Sequence, residues 1–295
     1  MGAHQPFFSI VVPTSGRPRQ LSACLKALSR LNYPHDRFEV IVVGNGGGIP
    51  LNPVVAAYRR ECSVSLLEQP SADLSRARNT GAAIAKGEFL AFTADDCAPA
   101  ADWILNLAAR FAADPDCALG GSVISALPCN SFSTASHLLI MYLYEHYNAD
   151  HQSARFFTPN NFAVPTHLYR AVGAFDVSFV TATGEDREFC DRWIHSGYHM
   201  VYAPEAVVTH THPLTFLSFC RQHFRYGRGT FRYRLLRARR DRTHLTIEPP
   251  GFYFDLLRYP LTVAQTQKSR MAMLLGISQI ANAAGFLWEL AIGRR

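Results

Sequence analysis

Two pairs of adjacent carboxylates and one pair of histidines have the residue types that could do chemistry. Residues 88–97 read EFLAFTADDC, an apolar strand pattern that delivers Asp95 and Asp96 at its end. Such oxygens bind a hard divalent cation, and a nucleoside diphosphate needs that cation. Two acids ahead of Pro99 equally suit a turn or a helix cap. Gly184-Glu185-Asp186 directly precedes a helical pattern through Phe189, Trp193 and Ile194. Acids there complement the helix dipole, worth ~0.3–1 kcal/mol, and a carboxylate there can also take the proton of a hydroxyl. His210-Thr211-His212 follows an apolar strand pattern over 200–208. Alternate strand residues share a face, so both imidazoles can address one site and ligate Mn²⁺, although a structural histidine is the commoner outcome.

The elements that must position these groups alternate. Short apolar runs at 7–12, 39–43, 63–67 and 88–92 read as strands buried on both faces, with helical patterns between them. Leu21, Cys24, Leu25, Leu28 and Leu31 recur at helical spacing after a proline-rich start, and Asn32-Tyr33-Pro34 ends that helix. Strand, helix, strand in this order implies right-handed crossovers and a parallel sheet. Trp103, Leu107 and Phe111 mark a third helix; 119–124 and 200–208 read as strands, and 185–195 as a helix closed by Gly197. Ligands of open parallel sheets bind at the carboxyl ends of the strands, where Asp95 and Asp96 fall.

The chain has 295 residues, enough for an extensive core without disulfides, and its seven cysteines form no metal-finger spacing. They read as reduced, mostly buried thiols of a cytoplasmic protein; the first apolar run is too short for a signal peptide. The net charge of +6 is concentrated: residues 221–242 hold nine arginines and one acid, Asp241, so that segment is +8 and the remainder −2. A basic run suits phosphates, nucleic acid or an anionic membrane. Residues 271–292 are largely apolar but carry Gln279, Asn282 and Glu289, which favours an interfacial or core helix over a spanning one.

In order along the chain, these pieces resemble the family 2 inverting glycosyltransferases of GT-A fold. Residues 9–17 (SIVVPTSGR) are similar to the family's first strand and nucleotide-binding turn, and 77–96 (ARNTGAAIAKGEFLAFTADD) to its helix, strand and metal-site segment. VGAFD at 172–176, Glu185-Asp186 and YAPEAVVTH at 202–210 follow in the family's order. The resemblance covers roughly 7–230. It implies a Rossmann-like α/β domain over 1–220, with a mixed, mainly parallel sheet flanked by helices, and a basic, apolar helical extension over 221–295. It further implies Asp186 as catalytic base with Glu185 beside it, Asp96 and His210 as ligands of Mg²⁺ or Mn²⁺, and Pro13, Thr14, Arg17, Arg78 and Asn79 around a nucleotide-sugar, with Asp95 near the ribose or metal. QHFRY at 222–226 has the spacing of an acceptor motif of processive relatives, which places Gln222, Arg225 and Tyr226 at the acceptor; an amphipathic helix with snorkelling arginines fits as well.

The sequence departs from the family at two points. The second strand runs into Val43-Gly44-Asn45, so only Asn45 can bond a base edge; UDP is the first expectation, with GDP and dTDP as alternatives. The metal triplet reads Ala94-Asp95-Asp96, lacking its first acid. These losses keep a catalytically inactive nucleotide- or partner-binding module as the alternative, and a nucleic-acid role has no recognised motif behind it. The acceptor is expected to be a glycan or a lipid-linked molecule, bound by loops such as 128–162, and the tail to rest on an anionic membrane at its cytoplasmic face.

Overall fold

In the computed structural model residues 5–44, 49–70, 73–179, 183–264 and 266–292 are described; Asn45 lies outside them. The chain runs β1 (Phe8–Thr14), α1 (Pro18–Leu28), β2 (Phe38–Gly44), α2 (Asn52–Tyr58), β3 (Val64–Glu68), α3 (Leu74–Ile84) and β4 (Phe89–Phe92). There follow β5 (Cys97–Pro99), α4 (Trp103–Ala113), β6 (Ala118–Ser125), α5 (Ser131–Tyr147), β7 (Phe162–Pro165) and α6 (Thr166–Val172). The chain continues through α7 (Glu185–His195), β8 (Met200–His210), α8 (Phe216–Asp241), α9 (Pro250–Val263) and α10 (Lys268–Ile292).

The strands form one sheet in the order β3-β2-β1-β4-β7-β6-β8-β5. β1, β2, β3 and β4 are parallel neighbours, and β6 and β8 are parallel to each other. β7 is antiparallel to both β4 and β6, and β5 is antiparallel to β8. The sheet is thus mixed and mainly parallel, flanked by helices on both faces. Every residue of β1 is buried, as a strand covered on both faces requires. Leu21, Leu25, Trp103 and Leu107 pack one face, and Phe92, Phe162, Tyr169, Phe189 and Trp193 pack the other.

The segment 128–162, expected to be a loop, is largely helical, since 17 of its residues form α5. Asn130 starts that helix by accepting bonds from the N–H groups of Phe132 and Ser133, each at 3.1 Å. Its buried Ala135, Leu138, Leu139 and Tyr142 join Phe219, Phe252, Leu256, Leu274 and Leu275 in a third core. The C-terminal helices therefore share a core with α5.

α8 and α10 meet at glycines. A Cβ on Gly227 would lie 1.8 Å from the Asn282 carbonyl oxygen, and one on Gly285 would lie 1.9 Å from that of Phe224. α8 also presses on the turn before α7, where a Cβ on Gly229 would lie 1.1 Å from the Thr183 oxygen. Only glycine permits backbone contacts this close. The basic run is correspondingly less free than its charge suggests. Arg228 and Arg232 both pair with Glu289, at 2.6 and 2.5 Å, and Arg234 pairs with Glu248 at 2.9 Å. Arg237 and Arg240 turn to Asp191 on α7. Five of the nine arginines are thus ion-paired within the fold.

Candidate active site

The carboxyl end of β4 leads through Ala94 into Asp95 and Asp96, which do different things. Asp95 is 1% exposed. It accepts the Thr14 hydroxyl at 2.6 Å and two guanidinium N–H groups of Arg17, of which Nε is at 3.1 Å. Burial pushes its carboxyl up despite those bonds. Asp95 thereby locks the turn after β1 and aims Arg17, whose Nη1 also reaches Asp96 Oδ2 at 3.0 Å. Pro13 and Thr14 close β1 beside Val43 and Gly44.

Asp96 faces the end of β8. His210 Nε2 is 3.3 Å from its Oδ1, and His212 Nδ1 is 3.8 Å from its Oδ2. The antiparallel pairing of Cys97 with His210 and the Thr211 N–H bond to the Asp96 carbonyl at 2.8 Å fix this meeting. The two imidazoles stack with centroids 5.3 Å apart. One ligand atom from each of Asp96, His210 and His212 falls within 4.8 Å of the others. Burial opposes ionisation of Asp96, but hydrogen bonds from His210 and His212 and the charges of His210 and Arg17 outweigh it and hold the carboxyl well below its usual range. Gln222 Oε1 lies 2.7 Å from His212 Nε2. An amide oxygen can only accept, so Nε2 carries a proton, and Nδ1 is the ring nitrogen that faces Asp96. A partner that sets the tautomer in this way is characteristic of imidazole metal ligands.

Asp186 sits in the first turn of α7, whose register is set by buried Phe189 and Trp193. Its Oδ1 accepts the Arg187 N–H at 2.8 Å. Burial, then the neighbouring Glu185 charge, push its carboxyl up to about 7. Glu185 is committed elsewhere: its Oε1 lies 3.3 Å from Arg78 Nη1, and its Oε2 accepts the Gly184 N–H at 3.0 Å. Asp186 lines a cavity of about 130 Å³ together with Thr183, Arg187, Tyr226, Thr230 and Arg234. Tyr226 is one helical turn after Gln222, so one face of α8 borders both the Asp96 cluster and the Asp186 cavity.

Asp95, Asp96, Arg17 and His210 therefore meet as the sequence suggests, and His212 joins them as a third ligand-type group. Three residues have other engagements. Asn79 donates to the Phe175 carbonyl at 2.8 Å, and its oxygen accepts from Tyr169 and from the Phe175 N–H. It ties α3 to the 172–176 turn, which spends its oxygen internally. Buried Arg78 holds Glu185. Gln222 is occupied by His212 and by Ser136, whose hydroxyl accepts at 2.8 Å, while Arg225 is exposed and without an ion-pair partner among the described residues. The cavity's far wall, with Leu139, Leu143, Glu248, Phe252 and Leu256, comes from α5 and the segment around α9. No local motif marks those residues.

Known proteins bear on this arrangement. A sequence profile described as glycosyl transferase family 2 matches residues 9–173, and one described as glycosyl transferase family group 2 matches 94–292. The chain belongs to glycosyl transferase family 2 and is a glycosyltransferase enzyme. It is 24% identical to glycosyltransferase AglE of Haloferax volcanii, over 96% of this chain and 95% of that protein. It is 28% identical to the pre-mycofactocin glycosyltransferase of Mycobacterium tuberculosis over 69% of this chain, which spans 42% of that relative. Among solved structures it resembles the mannosyltransferase PcManGT from Pyrobaculum calidifontis in complex with GDP-Man and Mn²⁺, with a TM-score of 0.63 and 18% identity, covering 99% of this chain and 80% of that one. It also resembles S. aureus TarS 1–349 in complex with UDP-GlcNAc, with a TM-score of 0.58 and 16% identity over 93% and 81%. These likenesses place the fold as GT-A.

Proposed function

We propose that this chain is an inverting transferase that moves a sugar from a nucleoside diphosphate to an acceptor hydroxyl with the help of a divalent cation. The carrying observation is the pairing, along one face of α8, of the Asp96–His210–His212 cluster with a separate cavity carboxylate, Asp186. Donor binding falls to Pro13, Thr14 and Arg17 at the end of β1 and to Asp95 after β4, with Arg78 acting through Glu185. Asp186 accepts the acceptor's proton as its oxygen attacks the anomeric carbon and the diphosphate departs. With Glu185 tied to Arg78, a single free carboxylate serves as base, which fits one displacement and inversion. One carboxylate and two imidazoles suit Mn²⁺ better than Mg²⁺. The ion, held by Asp96, His210 and His212, would supply charge neutralisation to the leaving diphosphate. The same imidazoles answer the missing acid at position 94 and disfavour an inactive module. In this reading residues 1–220 carry donor and catalytic groups, and 221–295 build the acceptor wall together with α5.

The test is a panel of UDP, GDP and dTDP in thermal shift with and without Mn²⁺. One diphosphate at a hundred times its dissociation constant should stabilise the protein by about 2.7 kcal/mol, and only when Mn²⁺ is present; PcManGT and TarS bind GDP-Man and UDP-GlcNAc. No stabilisation by any of the three would overturn the reading.

The enzyme is proposed to work at the cytoplasmic face of a membrane, bound peripherally. Among the described residues α10 alone is long and apolar enough to span one, but Glu289 and its two arginines tie it to α8. Its outer side exposes Ile280 at 72% and Leu287 at 61%, with Trp288 near them. Shallow apolar insertion with help from Arg225, Arg239 and Arg242, which have no ion-pair partner among the described residues, suits an interfacial helix. Co-sedimentation with anionic vesicles is expected at low salt, and the triple substitution Ile280→Ser, Leu287→Ser, Trp288→Ser should abolish most of it. Negligible sedimentation of the unaltered protein with anionic and neutral vesicles alike would reject membrane attachment.

A further inference from the structure

The turn after α6 is anchored more heavily than its own closure requires. Gly173 and Ala174 are both left-handed there, at φ +104° and +58°, and only glycine adopts that conformation without cost. Strain held in place by its surroundings concentrates at functional sites, yet none of the proposed reactive groups lies on this turn. Two outside side chains fix its backbone. Arg192 Nη1 donates to the Val172 carbonyl at 2.5 Å, and Nη2 to that of Ala174 at 2.6 Å. Asn79 donates to the Phe175 carbonyl and accepts the Phe175 N–H. Buried Phe175 in turn packs on Phe189 of α7, with centroids 4.9 Å apart.

Arg192 also holds Glu188, which is 5% exposed in the middle of α7: Nε and Nη2 lie 2.9 and 2.8 Å from its two carboxylate oxygens. A planar guanidinium can grip a carboxylate and two carbonyls at once, which an ammonium cannot. The first turn of α7 is held by the residue before Asn79, since Arg78 reaches Glu185. α3 therefore grips α7 twice, at Glu185 directly and at Glu188 through the turn and Arg192. Asp186 stands between the two grips. Two holds on one helix fix its rotation as well as its place. Side chains reach about 5–6 Å from a helix axis, so turning α7 by about 10° would carry the Asp186 carboxylate about 1 Å, and a misplacement of that size costs about 10²-fold in rate.

Building on the assignment of Asp186 as base, we infer that Asn79 and Arg192 are its positioning residues: they bind no ligand and hold α7 to α3, so that Asp186 meets the acceptor oxygen in place. Asn79, which the resemblance to family 2 puts at the nucleotide-sugar, is thereby reassigned.

Release of sugar to water from UDP-GlcNAc or GDP-Man with Mn²⁺, whichever donor the nucleotide panel selects, reads kcat and KM separately. Asn79→Ala and Arg192→Gln should each lower kcat about 10- to 100-fold and leave donor KM and diphosphate affinity within about twofold of the unaltered protein. A residue at the nucleotide would raise KM and weaken diphosphate binding instead. In both variants the acidic limb set by the Asp186 carboxyl, at about 7, should move down, because a displaced carboxyl meets more water while Glu185, Arg78 and Arg187 still flank it. The double variant should lose no more than the worse single one, since both cut the same link. Arg110→Gln, which removes an exposed ion pair with Glu205, should change none of these. If Arg192→Gln does not fold, Asn79→Ala carries the test, because it leaves Arg192 on Glu188. A raised donor KM with unchanged kcat in Asn79→Ala would overturn the inference, as would an unmoved limb. Full activity of Asp186→Asn strikes the functional reading itself; a disabled Asp186→Asn beside fully active Asn79→Ala and Arg192→Gln strikes only the positioning.

Discussion

Asp186→Asn is expected to lower sugar transfer by at least ~10²-fold while donor binding stays intact. The amide keeps the shape and can still accept the Arg187 N–H, but it cannot take a proton. Because burial pushes this carboxyl up to about 7, the unaltered enzyme should lose activity as pH falls through 7, and that acidic limb should disappear from the residual activity of the variant. The stability consequence has the opposite direction. A carboxyl whose pKa is higher folded than unfolded favours folding while protonated and loses that contribution as pH rises through the folded value. Asp186→Asn, which stays neutral, should therefore melt no lower than the unaltered protein at pH 8, and higher if Asp186 is ionised there. Wild-type turnover in Asp186→Asn would remove it from the role of base.

Asp96→Ala is expected to reduce Mn²⁺-dependent nucleotide binding by about 10²-fold or more, to the level seen without metal. Among the described residues Asp96 is the one acid that touches both imidazoles and Arg17, so its removal takes the carboxylate from the Asp96–His210–His212 cluster and leaves it two histidines for a hard cation. Arg17 remains oriented by Asp95, and any metal-free contact with the diphosphate is retained. Calorimetry with the preferred diphosphate, with and without Mn²⁺, separates the two contributions. Equal affinity of Asp96→Ala and the unaltered protein in Mn²⁺ would exclude Asp96 from the metal site.

What the sequence discloses and what it hides divide along a physical line. β1, β2 and β4 are apolar runs buried almost throughout, whereas β3, expected to be covered on both faces, lies at the sheet's edge and exposes Ser65 and Glu68; α7 is bounded by acids at one end and Gly197, at φ +89°, at the other; signals of this kind are local. The Asp96–His210 meeting was legible because strand ends in such a sheet converge at one edge. α5 was not, because its polar Ser, Thr and His content masks the buried stripe that packs on α9 and α10, elements more than a hundred residues later. β7 is four residues long, too short to stand out by pattern. Asn79 and Gln222 looked like ligand-facing residues because their motifs lie near the site, yet their hydrogen bonds go to Phe175, Tyr169, His212 and Ser136. The arginines of α8 read as a free basic patch because their partners, Glu289, Glu248 and Asp191, lie on other elements. Arg187 and Arg234 could be brought together only by the fold.

The bare contact of Gly229 with the Thr183 carbonyl, backed by α10 against Gly227, orders events during synthesis. A chain that has emerged through residue 212 already carries Asp96, Asp186 and both imidazoles. The turn that presents Asp186 then still lacks its backing, and the cavity has no wall. Roughly a hundred residues separate Asp186 from Glu289, which at ~5–20 residues per second is on the order of 5–20 s of translation. For that interval the nascent protein holds the proposed reactive groups while the cavity in front of Asp186 still lacks the wall that α9 and α10 supply.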